Sequence, residues 1–288
     1  MCKVIIFICV IFFNCLYSQN INIDTFFEKD FKALKQEFYL MDSTSKTDFS
    51  RKYLSRAKLS NNIIKIANGY YFFSELNLHQ RKAINYADSI IQITKNSNHK
   101  EYPALGYIQK GTQLYYDNNH HLALDNFIKA RKLASKHNNK FQLIIIKHYI
   151  GLLKNVNKNV EESLIIFKNN FNFIINNNLD LIHRKQYLKS LYALSDSYAK
   201  NRIFDTAQVY YRKGLFETHE KDLYFYPHFL TGYGINSFHR KEYIIAIDSL
   251  KKASKLLQNK KKIYLLFICI YMNHIGICKN LKEDLNFF

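Results

Sequence analysis

Tryptophan is absent from this chain of 288 residues, and proline and glycine are scarce, with two and eight copies. The residues that most often interrupt regular secondary structure are therefore few. No stretch rich in proline, or in glycine and serine, separates one part of the chain from another. Alternating polar and apolar runs, which are typical of a half-buried strand, never exceed a few residues. These absences argue against a β-rich fold and against several domains joined by linkers.

Local signatures of catalysis are also missing. The chain has no HExxH, no CxxC, no glycine-rich phosphate loop and no GxSxG. His120 and His121 are adjacent, and we expect them in the turn between two helices, where exposure to solvent explains them better than a metal site. The sequence therefore predicts a non-enzymatic protein with no catalytic residue, no metal and no cofactor.

The five cysteines do not form a framework of disulfides. Cys2, Cys9 and Cys15 lie within the first 18 residues, which leaves Cys269 and Cys278. On one helix these two would be about 13 Å apart along the axis, which is beyond the reach of a disulfide. We expect both to be buried apolar side chains.

The first 18 residues have the pattern of a signal peptide. Lys3 supplies a positive charge, residues 4–13 are all apolar, and Ser18 precedes an expected cut at Gln19. The apolar run is too short to cross a bilayer, which needs about 20 residues. We therefore predict export, to a periplasmic or membrane-associated location, with an uncleaved membrane anchor as the alternative.

The net charge of +19 raises the question of nucleic acid, because clustered Lys and Arg bind phosphates. The basic residues are instead spread along the whole chain in short runs, such as residues 260–262. No segment resembles a recognition helix or an aromatic RNA-binding platform. We predict that this chain binds no nucleic acid, whereas attraction to acidic partners or peripheral contact with an anionic membrane surface is consistent with the charge.

The strongest positive feature is a spaced pattern of large and small residues that recurs along the chain. Steps of four and three residues place these side chains on one face of a helix, with small residues where two helices touch closely. The clearest copies are Tyr107, Gly111, Leu114, Ala123, Phe127 and Ala130; Leu191, Ser195, Tyr198, Ala207, Tyr211 and Gly214; and Leu230, Gly234, Ser237, Ala246, Leu250 and Ala253. Weaker copies include Gly69, Ala83 and Ala87. The pattern predicts repeated helical hairpins.

These spacings resemble the tetratricopeptide repeat (TPR), although the tryptophan of that family is replaced. Gly214 and Ala253 are 39 residues apart, against about 34 in the family. The resemblance implies an all-α, right-handed superhelical solenoid of antiparallel helix pairs over residues 21–288. We expect about six to seven hairpins, the last incomplete, and both Pro103 and Pro227 should lie at the start of a first helix.

The resemblance also implies where a ligand would bind. In the family the first helix of each hairpin lines a concave groove, which suits an extended or helical peptide. Carried over position by position, the groove-facing residues are Thr112, Tyr116, His148, Asp196, Lys200, His228, Thr231 and His239. The expected partner is a protein or peptide.

The signal segment, the long repeats and the end of the chain within a repeat resemble one group within that family. Bacterial one-pass membrane regulators carry exported TPR repeats and a cytoplasmic helix-turn-helix domain, and this chain resembles their exported sensor half. We therefore expect an exported scaffold with a role in signalling or transcriptional regulation. The alternative is a truncated remnant of such a regulator without independent activity.

Overall fold

The computed structural model describes residues 29–219, 222 and 224–257, so the predicted signal segment and the predicted last repeat lie outside the described residues. Within this part, twelve α-helices and no strand are present. The helices are α1 (Phe31–Leu40), α2 (Lys46–Leu59), α3 (Ile63–Leu76), α4 (Lys82–Thr94), α5 (Ala104–Tyr116), α6 (His120–Lys136), α7 (Lys140–Val156), α8 (Val160–Asn176), α9 (Arg184–Lys200), α10 (Phe204–Thr218), α11 (Phe225–His239) and α12 (Tyr243–Leu256).

Neighbouring helices pack in consecutive pairs, which confirms the predicted all-α helical-repeat fold of TPR type. Odd-numbered helices are the first members of the pairs and even-numbered helices the second. First helices also contact one another, as α3 does with α5 and α9 with α11. The chain divides into two compact units between Leu143 and Ile144, within α7.

Three-residue turns join many of these helices and end the preceding helix in the same way. After α5, the N–H of Asn119 donates to the carbonyl of Leu114 at 2.8 Å, and the N–H of Asn118 donates to that of Tyr115 at 3.2 Å. This pair of bonds needs a residue in the left-handed region, and Asn118 has a φ of 59°. The equivalent residues in other turns are Asn138, Lys158, Asn178, Arg202 and Lys241. Asparagine tolerates this conformation better than most residues, so few glycines are needed.

The compact turn corrects one prediction. His120 and His121 are the first two residues of α6 and do not lie in the turn. Because Asn118 closes the connection within residues 117–119, the second helix begins earlier than the repeat frame suggests. Pro103 directly precedes α5 and Pro227 is in the first turn of α11, as predicted.

In the repeated sequence pattern, a small residue on the first helix packs against a large residue on the second helix. Gly111 of α5 packs on the ring of Phe127 of α6, where a Cβ on the glycine would lie 2.9 Å from Cε1. The same contact recurs between Gly151 and Phe167 and between Gly234 and Leu250. Glycine permits the close approach of first and second helix in each of these pairs.

Successive repeats are joined by a second set of contacts. Gly214 of α10 faces the ring of Phe229 of α11, and Gly232 of α11 faces the ring of Tyr211 of α10. Phe229 and Tyr211 belong to a core cluster that runs from Ile144 of α7 to Phe229 of α11, and Tyr226, Leu230 and Ala253 form a separate cluster between α11 and α12. The hydrophobic core is therefore continuous from α7 to the start of α11.

Candidate functional site

The eight residues predicted to face a groove all lie on first helices. Thr112 and Tyr116 are on α5, His148 is on α7, Asp196 and Lys200 are on α9, and His228, Thr231 and His239 are on α11. Their role in binding stays a prediction. Their surroundings differ, and the structure brings only some of them together.

Asp196 and Lys200 form an ion pair one turn apart on α9. The Lys200 Nζ lies 2.7 Å from the Asp196 Oδ2, and the two side chains are 47% and 32% exposed. A pair this exposed stabilises a helix by only about 0.3–0.5 kcal/mol. A ligand can therefore replace either partner of the ion pair with little loss of stability.

His228 connects α11 to α9 through aromatic rings. Its Nδ1 lies 2.6 Å from the carbonyl of Tyr224, and its ring meets that of Tyr192 edge-on at 6.3 Å. Thr231 is buried, and its hydroxyl donates to the carbonyl of Pro227 at 2.8 Å. The accessible part of this surface is thus aromatic and imidazole rather than hydroxyl.

His239 and the two predicted residues of α5 lie in other surroundings. The ring of His239 stacks on Phe204 of α10 at 5.1 Å, about 16 Å along α11 from His228. Thr112 is buried. Tyr116 is exposed at the end of α5, and its ring lies 4.2 Å from that of His79.

His148 is packed into the repeat rather than presented to solvent. Its ring contacts those of Tyr149 and Phe167, with centroids 5.7 and 5.9 Å away. Its buried Nδ1 has no hydrogen-bond partner among the described residues. Burial, with a smaller effect from the charge of Lys189, lowers the pKa of His148 to about 3. The imidazole is therefore neutral near pH 7.

His148 should make the free energy of unfolding depend on pH. The unfolded chain takes up a proton as the pH falls below 6.5, the ordinary value, whereas the folded chain resists protonation down to about 3. The stability that comes from keeping His148 neutral is therefore fully present above about pH 6.5, and it is lost as the pH falls from there towards about 3. Between about pH 7 and about pH 5, we expect the native chain to lose about 1–2 kcal/mol more unfolding free energy than His148→Leu.

Urea titrations at both pH values check this prediction, with His239→Leu as the control because that histidine is exposed. The control should keep the pH dependence of the native chain. Equal pH dependence in the native chain and in His148→Leu would contradict the prediction that His148 stays neutral in the folded chain.

A second polar group, which the sequence did not indicate, lies on α1, on α3 and in the segment that directly precedes α5, all in the first unit. We call it the Tyr–Glu cluster, and it consists of Tyr39, Tyr71, Glu75, Glu101 and Tyr102. Tyr39 as a whole is 53% exposed, but desolvation of its hydroxyl raises its pKa; a hydrogen bond with Tyr71 acts in the opposite direction, and the charges of Glu75 and Glu101 raise the pKa further. Burial also holds the pKa of Tyr71 and Tyr102 well above the ordinary value. These five side chains therefore share one electrostatic environment.

Amide and lysine side chains fix the members of this cluster. The Lys35 Nζ lies 3.1 Å from the Glu101 Oε2. The Tyr102 hydroxyl donates to the Asn68 Oδ1 at 2.7 Å, and the Gln109 Nε2 donates to the Glu75 Oε1 at 2.6 Å. These bonds connect α1 and α3 to the segment before α5, and α3 to α5 itself. The available sequence signal was the spacing of Tyr71 and Glu75, which are four residues apart on α3.

Two kinds of feature are absent from the described residues. No group of three or more His, Cys, Asp or Glu is arranged to hold a metal ion there. In the same part of the chain, none of the helices has both the length and the apolar character that crossing a bilayer requires.

Solved structures of other proteins resemble this chain in fold. BtubC (BKLC) from P. vanneervenii matches with a TM-score of 0.62 and 11% identity, over 75% of this chain and 91% of that chain. MamA 41-end from Desulfovibrio magneticus RS-1 matches with a TM-score of 0.45 and 14% identity, over 68% and 97%. No family model matches the chain, and no curated protein matches it in sequence. At 11% identity, the match to BtubC shows a shared fold alone.

Proposed function

We propose that this chain is a non-enzymatic scaffold that binds a protein or peptide on the surface of its first helices. Helical repeats of TPR type generally serve protein–protein interaction, and stacked repeats form extended surfaces for it. The observation that supports the proposal is the contact of first helices with one another, α3 with α5 and α9 with α11. Side chains from successive repeats therefore adjoin on one surface.

The surface of α9 and α11 suits a peptide chemically. The rings of Tyr192, Tyr224 and His228 provide apolar contact area with polar edges. The ion pair of Asp196 and Lys200 adds a half-buried acceptor and an exposed donor. An extended peptide offers apolar side chains for the rings and backbone groups for the ion pair.

Removing that ion pair tests the proposal. We expect the native chain to bind a subset of an array of 15-residue peptides of randomised sequence with saturation. The double variant Asp196→Ala and Lys200→Ala should bind the same peptides about fivefold more weakly, which corresponds to about 1 kcal/mol. The measurement is the dissociation constant of each selected peptide.

A matched control comes from a second helix. Asp48 and Lys52 on α2 form an ion pair with the same spacing, at 3.0 Å, and both side chains are exposed. Asp48→Ala with Lys52→Ala should leave peptide binding unchanged. The proposal fails if no peptide binds with saturation, or if both double variants weaken binding equally.

We also propose that the scaffold is exported, on the basis of the signal pattern in residues 1–18. N-terminal sequencing of the protein from the cell envelope should start at Gln19, and recovery of the intact first residues from the cytoplasm would contradict this. The resemblance to exported sensor repeats supports a further proposal, that ligand binding favours one arrangement of the repeats and is used as a signal.

A further inference from the structure

The helices of the first unit have two ends, and the charge is distributed unevenly between them. Connections of three to nine residues join consecutive helices, so neighbours run antiparallel. The N-terminal halves of first helices therefore lie at the same end as the C-terminal halves of second helices. We call this end, with its connections, the basic end; it comprises residues 29–35, 53–69, 89–109 and 129–143.

Within the described part of the first unit, thirteen basic residues lie at the basic end. They are Lys29, Lys32, Lys35, Arg56, Lys58, Lys65, Lys95, Lys100, Lys129, Arg131, Lys132, Lys136 and Lys140. Only two acidic residues lie there, Asp30 and Glu101. The opposite end has five basic and six acidic residues. They are Lys46, Arg51, Lys52, Arg81 and Lys82, and Glu37, Asp42, Asp48, Glu75, Asp117 and Asp125. Basic residues that are evenly spread in the sequence thus become concentrated at one end in space.

Direct contacts hold the parts of the basic end together. The Lys35 Nζ of α1 lies 3.1 Å from the Glu101 Oε2, in the connection before α5. The Lys136 Nζ of α6 donates to the Asn98 Oδ1 of the same connection at 3.3 Å. Two side chains also donate to backbone carbonyls across this end, Arg56 to Lys29 and Asn139 to Lys100. The basic residues of successive repeats therefore belong to one surface.

Helix energetics do not explain this concentration. Lys32, Lys65 and Lys140 lie in the first turns of α1, α3 and α7, and none of these first turns contains an acidic residue. The helix dipole disfavours a positive charge at that position. A general excess of lysine does not explain it either, because the opposite end is balanced. The concentration of charge therefore indicates an anionic partner.

The basic end also exposes large apolar side chains. Leu59, the last residue of α2, is 82% exposed, and Ile63, the first residue of α3, is 46% exposed. A three-residue turn separates them, and Lys58 and Lys65 are close in sequence on either side. Exposed apolar residues surrounded by lysines are typical of a surface that enters the headgroup region of a membrane.

The kind of basic residue favours a lipid surface over nucleic acid. Eleven of the thirteen are lysines, which act as point charges towards a diffuse negative surface. Arginine, which binds single phosphates through two hydrogen bonds, contributes only Arg56 and Arg131. A bilayer also accommodates Leu59 and Ile63, whereas a phosphate backbone offers no apolar phase to them.

We propose that the basic end of the first unit docks on an anionic lipid bilayer, with Leu59 and Ile63 inserted among the headgroups. This activity is separate from the proposed peptide binding and uses a different surface. Each lysine near an anionic leaflet contributes about fivefold to the affinity, and the attraction is screened by salt.

Flotation of the full chain with vesicles tests the proposal. One set of vesicles is phosphatidylcholine, and the other contains about a third phosphatidylglycerol, which supplies the negative charge. We expect the chain to partition at least about tenfold more strongly into the anionic vesicles at physiological salt. About 0.5 M sodium chloride should remove most of that difference.

Charge removal locates the docking surface. The triple variant Lys58→Gln, Lys100→Gln and Lys132→Gln changes three exposed residues of the basic end and should weaken binding to anionic vesicles at least about twentyfold. The matched control is Lys52→Gln, Arg81→Gln and Lys82→Gln, which removes the same charge from exposed residues of the opposite end. It should stay within about threefold of the native chain.

A pair of leucines tests insertion into the bilayer. Leu59→Ser should weaken binding to anionic vesicles at least about threefold. Leu40→Ser is the matched control, because Leu40 is 86% exposed and is also the last residue of its helix, α1, but lies at the opposite end. The control should bind as the native chain does, and circular dichroism should show the same helix content in all variants.

Three results would overturn the inference. They are equal partitioning into both kinds of vesicle, equal losses in the two triple variants, and equal binding by Leu59→Ser and Leu40→Ser. The last result would make the basic end a site for a polyanion without an apolar phase, such as nucleic acid or an acidic protein. None of them affects the peptide binding proposed above, which is tested at Asp196 and Lys200.

Discussion

Phe229→Ala is expected to lower the free energy of unfolding by about 3–5 kcal/mol. Phe229 is fully buried at the start of α11, and its ring meets that of Tyr192 of α9 edge-on at 5.5 Å. It also fills the space that Gly214 of α10 leaves open. Truncation leaves a cavity among three helices, and Gly214 has no side chain that could fill it. The loss should therefore be near the top of the range for a core phenylalanine.

The matched control for this variant is Phe216→Ala. Phe216 lies on α10 and is 76% exposed, so its removal should change the unfolding free energy by no more than about 0.5 kcal/mol. Urea unfolding followed by far-ultraviolet circular dichroism measures both. A loss below about 1 kcal/mol for Phe229→Ala would contradict the importance given to this inter-repeat contact.

Gly214→Leu is expected to destabilise the same contact from the opposite side, by about 3 kcal/mol. A Cβ on Gly214 would lie 2.1 Å from two ring carbons of Phe229, and that ring is fixed by its burial. Leucine improves intrinsic helix propensity by up to about 1 kcal/mol over glycine, but the overlap with the ring outweighs this gain. The helices α10 and α11 would have to separate.

Val209→Leu provides the control, since it also places leucine on α10, at a position 66% exposed. It should leave stability nearly unchanged. The double variant Gly214→Leu with Phe229→Ala should be more stable than the sum of the single losses predicts, because the leucine occupies the vacated space. A coupling of about 1 kcal/mol or more is expected, and strict additivity would refute direct contact.

The candidate sites were predictable only in part. The helix that carries Asp196, Lys200, His228 or Thr231 followed from the repeat pattern, because a four-and-three spacing fixes a helix face locally. Whether such a residue is exposed depends on how it packs in three dimensions, which the spacing does not give. Thr231 is buried, with its hydroxyl bonded to the carbonyl of Pro227, and the ring of His148 packs on Phe167, although the family frame predicts both to face a groove.

The sequence by itself determined that the chain is helical, that the helices come in pairs, and which member of each pair is first. These properties depend on residues a few positions apart, through the helical period and the matching of small with large side chains between the helices of one pair. They need no knowledge of how repeats stack.

Only the tertiary structure decided which polar groups meet. Lys35 and Glu101 are 66 positions apart, and Tyr102 and Asn68 are 34 apart, yet both pairs are in contact. The angle between successive repeats brings them together. That angle depends on volumes at inter-repeat contacts, such as Gly69 against Leu54 and Gly106 against Ile91, which no local pattern encodes.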